Sequence, residues 1–314
     1  MSVLFPLFHL PLVAMEHVLS IMNPYELIDL SLTSSKINKS VKDFSKIRRE
    51  FPIDLAIFNE PSIKLYGKYE SWEYRWTSND SNVGYKYYAY DDTHELTNFS
   101  TNPIEEFKKM HDYIKEVLKC AINMISFDMD ASPNENKSMT DWLLSRYELV
   151  EDLEIVGSKH DEDLNYLVNN LKVTNLLLLG VDDYEDNFEL EIPEGTRDLV
   201  INDARFVKYE QFQCLNCRVI QLHKSILTNQ EIDSFLRSWM ACESHLGLKA
   251  LRINIPSLEA LQVIMDGPHE ETDDPRIIQA LDGYPFCVTV TSALNIKRSD
   301  GRMATICAVE SLDV

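Results

Sequence analysis

Asn175-Leu176-Leu177-Leu178-Leu179-Gly180 is the richest of six short apolar segments in the second half of the chain, and their spacing decides the fold class. The segments read Ile125-x-Phe127, Leu153-x-Ile155, Leu176-x-Leu178, Leu199-x-Ile201, Ile220-x-Leu222 and Leu251-x-Ile253, with starts 28, 23, 23, 21 and 31 residues apart. Stretches of helical spacing lie between them: Asp141 to Tyr147, Asp161 to Leu171, and Asn229 to Leu246 with Ile232, Phe235, Leu236, Trp239 and Met240 on one face.

Strand and return segment alternating every 20 to 30 residues or so predict a leucine-rich-repeat-like α/β domain over residues 121–314. The asparagine signature of such repeats is missing, and an ordinary mixed α/β domain is the other reading. Side chains alternate along a strand, so the residues beside the core positions point outward. Glu154, Leu177, Val200, Gln221 and Arg252 form the candidate substrate-binding row, one per strand; were helices to cover both faces, Leu177 and Val200 would be core instead.

Working outward toward the N-terminus, residues 48–120 read as a β-rich connecting segment and a helix. Period-two patterns occur at Ile53, Leu55, Ile57, then Trp72, Tyr74, Trp76, then Tyr85, Tyr87. The polar stretch Thr77 to Gly84 predicts the loop of an antiparallel hairpin, and a helix is expected from about residue 103 to 120. The aromatic strands read as sheet core, since Arg75 and Lys86 alone do not make a base-stacking platform.

Residues 3–47 read as three short helices. Leu10-Pro11 opens the first, Asn23 caps a second with Pro24 in its first turn, and Ile37, Val41 and Phe44 mark a third. So much apolar surface on about 40 residues exceeds what an isolated three-helix unit can bury, which implies a docking partner. At the other end, Phe286 to Val290, Ala293 to Lys297 and Met303 to Val309 predict a closing antiparallel hairpin with a Ser299-Asp300-Gly301 turn.

The chain of 314 residues carries 30 basic and 51 acidic side chains, a net charge of -21. That field repels phosphate backbones and anionic surfaces, so neither nucleic acid nor a membrane is an expected partner. Residues 128–198 hold 19 acids against 5 bases, which suits a basic protein partner and equally suits a solvated face. The apolar run Val3 to Met15 lacks the basic flank and cleavage site of a signal peptide, and the six scattered cysteines fit reduced thiols; a cytoplasmic or nuclear location is expected. Nine glycines, none spaced Gly-x-Gly, leave no dinucleotide or phosphate loop. Cys214-x-x-Cys217 lacks a matching second pair for zinc, Asp182-Asp183-x-Glu185-Asp186 fails calcium-loop spacing, and no nucleophile elbow is present. No catalytic residue, metal or cofactor is assigned.

Leu10-Pro11, Val18-Leu19, Met22, Asn23-Pro24, Glu26-Leu27-Ile28 and Leu30-Ser31-Leu32-x-Ser34-x-Lys36, in this order, resemble an F-box, and the whole pattern from Phe5-Pro6-Leu7-x-x-Leu10-Pro11 to Lys39 resembles the subtype expanded in nematodes. Gln230-Glu231-Ile232-Asp233-x-Phe235-Leu236-x-x-Trp239-Met240, His245-Leu246 and Ile296-Lys297-Arg298-x-Asp300-Gly301-x-x-Ala304-Thr305 resemble the F-box-associated domain of type 2 that accompanies it. The first motif departs from the common pattern at Val13, where an acidic residue is usual. The resemblance implies a substrate-recognition subunit of a Skp/cullin/F-box ubiquitin ligase. Its F-box would dock on the Skp-type adaptor, and through it a cullin, while its C-terminal domain would bind a protein for ubiquitination by other subunits. The carried-over adaptor-binding residues are Leu10, Pro11, Val18, Leu19, Met22, Pro24, Leu27, Leu30, Ser31 and Leu32. A non-ligase interaction scaffold with a degenerate F-box is the alternative.

Overall fold

The computed structural model describes residues 10–48, 50–185, 187–255, 268–274, 276 and 293–307. Two compact units divide the chain: residues 1–134 with 150–153, and residues 135–149 with 154–314.

The first unit begins with three helices, α1 (Leu12–Ile21), α2 (Pro24–Leu32) and α3 (Ser35–Arg48). Asn23 starts α2 with a reciprocal cap: its Oδ1 accepts from the Glu26 N–H and its own N–H donates to the Glu26 carboxylate, both at 2.9 Å. Strands β1 (Glu50–Ile57), β2 (Ser62–Tyr66), β3 (Ser71–Thr77), β4 (Gly84–Tyr88) and β5 (Thr93–Phe99) follow, then α4 (Pro103–Val117) and β6 (Lys119–Asp128). The strands lie in the order β6-β1-β2-β3-β5-β4. β1 is fully sandwiched, parallel to β6 and antiparallel to β2, and its Phe51, Ile53, Leu55 and Ile57 are all buried.

The hairpin expected between β3 and β4 does not form. β5 inserts between them, parallel to β3 and antiparallel to β4. Cross-strand chemistry selects this neighbour: Ser71 bonds Thr93 at 2.8 Å, Trp72 stacks on His94, and Arg75 donates to the buried Glu95 at 3.0 Å. Trp72, Tyr74 and Trp76 are core, as their spacing implies, while Tyr85 and Tyr87 on β4 are exposed.

The three N-terminal helices are tied to this sheet. Tyr25 donates to the backbone carbonyls of Glu73 (2.5 Å) and His94 (2.8 Å), and its ring packs edge-on against Tyr74. Tyr113 of α4 bonds Ser31 at 2.8 Å and accepts from Asn38 at 3.1 Å.

The second unit contains α5 (Asn136–Leu144), β7 (Leu149–Ser158), α6 (Asp161–Asn170), β8 (Lys172–Asp182), β9 (Asp198–Ile201), α7 (Tyr209–Cys214), β10 (Val219–Leu222), α8 (Asn229–Met240) and β11 (Ala250–Ile253). Strands β8 to β11 are parallel neighbours in sequence order, with β7 beside β8. The longer helices carry a buried apolar stripe: Leu164, Leu167 and Val168 on α6, Ile232, Phe235 and Trp239 on α8. The same device ends three strands: Lys159, Asp183 and Lys224 follow β7, β8 and β10 with φ of 59°, 58° and 52°. These left-handed residues turn the chain out of each strand at a cost of about 1 kcal/mol each.

A separate sheet of β12 (Glu270–Thr272), β13 (Ala293–Lys297) and β14 (Met303–Ile306) is antiparallel, with the expected Ser299-Asp300-Gly301 turn between the last two. The predicted strand Phe286 to Val290 lies outside the described residues.

Candidate protein-docking surfaces

Helix α1 buries only Leu19. Pro11 and Ala14 are exposed, and Leu12, Val13 and Ile21 stand 64%, 78% and 73% exposed, joined by Leu32 at the end of α2. Burying an aliphatic side chain of this size is worth about 1.5–3 kcal/mol, so these exposed apolar residues are candidates for docking. Of the ten carried-over residues, Pro11 and Leu32 are exposed, Leu10, Val18, Met22 and Leu30 are half-buried, and Leu19, Pro24, Leu27 and Ser31 are buried within the chain. Leu12, Val13 and Ile21 escape the motif-based list; they are apolar residues at the two ends of α1 that the chain leaves uncovered.

A cleft of about 250 Å³ opens in this unit, lined by Leu19, Met22, Leu27, Phe44, Ser45 and Phe51. The Ser45 hydroxyl is buried there without a hydrogen-bond partner among the described residues.

In the second unit the register sorts the candidate row. Val200 pairs with Leu178 and Gln221, and Gln221 with Arg252. All four are half-buried. A Cβ on Gly180 would lie 2.9 Å from Cγ1 of Val156, which puts Val156 beside Gly180 and, by strand alternation, Glu154 on the same face. Leu177 is a correction: it pairs with Leu199, is fully buried, and belongs to the core row with Ile220. Leu178 takes its outward place.

Charge at the carboxyl ends of these strands is largely paired. Burial works to raise the pKa of Asp203, but hydrogen bonds and charge from Arg205, with Lys224 at 3.6 Å, hold it below the ordinary carboxylate range. Asp183 pairs with Lys159 at 2.9 Å. Burial, then the charge of Asp198, pushes the Cys217 thiol up to about 11, an unreactive setting. Among the described residues no group of three His, Cys, Asp or Glu side chains is placed to hold a metal ion.

The segments on which the second resemblance rests meet in space. Trp239 of α8 carries the Arg298 guanidinium over its ring, and Arg298 Nη1 donates to the Leu246 carbonyl at 3.3 Å. Arg298 also grips Asp300 through Nε and Nη2 at 3.0 and 2.7 Å.

Family models match two regions: the F-box domain model over residues 7–49 and the F-box associated model, type 2, over residues 187–253. The chain carries an F-box and an F-box-associated domain. The F-box match spans α1 to α3, and the F-box-associated match spans β9 to β11 with α7 and α8. No curated protein and no solved structure shows significant similarity to the chain. No helix among the described residues is long and apolar enough to cross a membrane. F-box domains typically bind Skp-type adaptors, and F-box proteins are generally adaptor subunits rather than enzymes.

Proposed function

We propose that this chain is the substrate-recognition subunit of a Skp/cullin/F-box ubiquitin ligase, acting in the cytoplasm or nucleus. The F-box docks on the Skp-type adaptor, and the second unit holds a protein substrate for other subunits to ubiquitinate, contributing proximity and orientation. The observation that carries this reading is the number of exposed apolar residues, Pro11, Leu12, Val13, Ile21 and Leu32, inside the F-box match. The buried carried-over residues Leu19, Pro24, Leu27 and Ser31 hold the helices in shape and act on docking only through that shape.

For the substrate, the parallel strands and intervening helices favour a leucine-rich-repeat-like face. Glu154, Leu178, Val200, Gln221 and Arg252 line it. The acid-rich stretch 128–198 favours a basic substrate.

The test is co-purification of the full chain with a Skp-type adaptor at two salt concentrations. A stable one-to-one complex that survives high salt, and is lost in Leu12→Asp/Val13→Asp with circular dichroism unchanged, supports the reading. No complex with the unaltered chain sinks it. That outcome would favour the second reading, a non-ligase scaffold, which has its own observation: hydrogen bonds from Tyr25, Ser31 and Asn38 already make the F-box helices part of the first unit's core.

A further inference from the structure

The edge strand β4 presents an unused surface. It reads Gly84-Tyr85-Lys86-Tyr87-Tyr88 and is the outermost strand on its side of the first unit's sheet. An edge strand directs alternate N–H and C=O groups away from its neighbour. Among the described residues, no backbone hydrogen bond outside the β4–β5 ladder reaches residues 84–88. Natural edges are commonly blunted by proline, bulges or repeated lysines; β4 has Lys86 alone.

Its side chains are those of a binding surface. Tyr85 and Tyr87, two residues apart and so on one face, are 59% and 50% exposed, and Tyr90 just beyond is 85% exposed. The rings are nevertheless held in place. Tyr85 Oη bonds His94 Nδ1 at 2.7 Å, Tyr87 donates to Asp92 at 2.5 Å, and His94 is backed by the stacked ring of Trp72. Aromatic groups fixed before a partner arrives bind at low entropic cost.

Charge selects the occupant. Residues 70–95 carry six acids (Glu70, Glu73, Asp80, Asp91, Asp92, Glu95) against Arg75 and Lys86. Arg75 is already committed to Glu73 and Glu95. On the tyrosine side, the Glu70 carboxylate lies 3.7 Å from His94 Nε2 and Asp92 holds the Tyr87 hydroxyl. Exposed tyrosine faces next to carboxylates suit a guanidinium or ammonium group.

We infer that β4 accepts an extended basic peptide segment as an added strand, with alternate arginine or lysine side chains laid on Tyr85 and Tyr87. Backbone pairing supplies affinity and the tyrosine–carboxylate row supplies the preference for positive charge. The inference holds whether or not the F-box docks an adaptor.

The experiment titrates the full chain into a fluorescently labelled, capped peptide of alternating arginine and valine, about eight residues long, read by anisotropy near physiological salt. A second peptide has the same side chains with N-methyl groups on alternate backbone nitrogens. A third has glutamate for arginine. The expected result is saturable binding of the first peptide only, weakened about tenfold or more by Tyr85→Ala/Tyr87→Ala. Hydrogen exchange should slow at amides within residues 84–88 when the peptide is added. Equal binding of the N-methylated peptide would mean nonspecific attraction to a chain of net charge -21, and would overturn the inference. So would protection confined to other residues. Both of these readouts use the unaltered chain, so they stand even if the double variant does not fold.

Discussion

The Arg298 guanidinium lies 5.2 Å from the centre of the Trp239 ring, with Arg298 only 3% exposed. Through this contact the β13–β14 turn closes on α8, helped by the Ser299 N–H donating to the Met240 carbonyl at 2.8 Å. Trp239→Ala should cost about 3–5 kcal/mol, as for other buried tryptophans. Arg298→Lys keeps a cation over the ring but loses the two-pronged grip on Asp300, so its Tm should fall between those of the unaltered chain and Arg298→Ala. Thermal unfolding of the three variants checks the order, and a lysine variant as stable as the parent removes the fork from the account.

The phase of β8 predicts opposite behaviour for adjacent leucines. Leu177→Ala should cost about 2–5 kcal/mol, the usual range for a fully buried leucine. Leu178→Ala should cost far less and, on the proposed function, weaken substrate capture. Denaturant midpoints separate the two; similar losses would contradict the register.

Buried His245 sets a pH dependence. Its Nε2 faces the Phe212 carbonyl at 3.1 Å while Nδ1 is buried without a partner among the described residues. Burial therefore lowers its pKa against the small opposing effect of that carbonyl. The unfolded chain takes up a proton near pH 6.5 and the folded chain resists it, so this contribution is full above about pH 6.5 and declines as pH falls below it. Chemical denaturation at pH 7.5 and pH 5.5 should show that decline, and His245→Gln should flatten it. A slope identical in the variant would assign the effect elsewhere, with His223, also lowered by burial and by Arg252, the next group to replace.

Ser45 offers a gain. Its orphan hydroxyl in the F-box cleft incurs a desolvation cost with no bond in return, so Ser45→Ala should stabilise the chain by on the order of 1 kcal/mol. A loss of stability would mean that the hydroxyl has a partner in solution.

Much of this was readable from residue patterns, because the signals were local. Asn23-Pro24 followed by Glu26 states a capped helix, and Ile232, Phe235 and Trp239 state the buried face of α8. Two features resisted. In Leu176 to Leu179 four identical side chains read alike in either phase; the deciding signal was Val173 and Val181, both buried on the Leu177 side, with Lys172, Thr174 and Asp182 on the other. The insertion of β5 depended on pairs such as Arg75 with Glu95, twenty residues apart, which no local pattern announces. Which apolar residues of the F-box helices stay exposed was not legible, since apolar residues of a helix advertise burial without saying which face the chain itself will cover.

The central position of β1 has a consequence for synthesis on the ribosome. Its apolar residues Phe51 to Ile57 gain a neighbour on one side from β2 almost at once, but their other neighbour, β6, is not translated until residues 119–128. β3, with two tryptophans, likewise waits for residues 93–99. A nascent chain therefore displays two greasy strand borders over a long interval of elongation, the kind of transient surface that promotes aggregation before folding is complete.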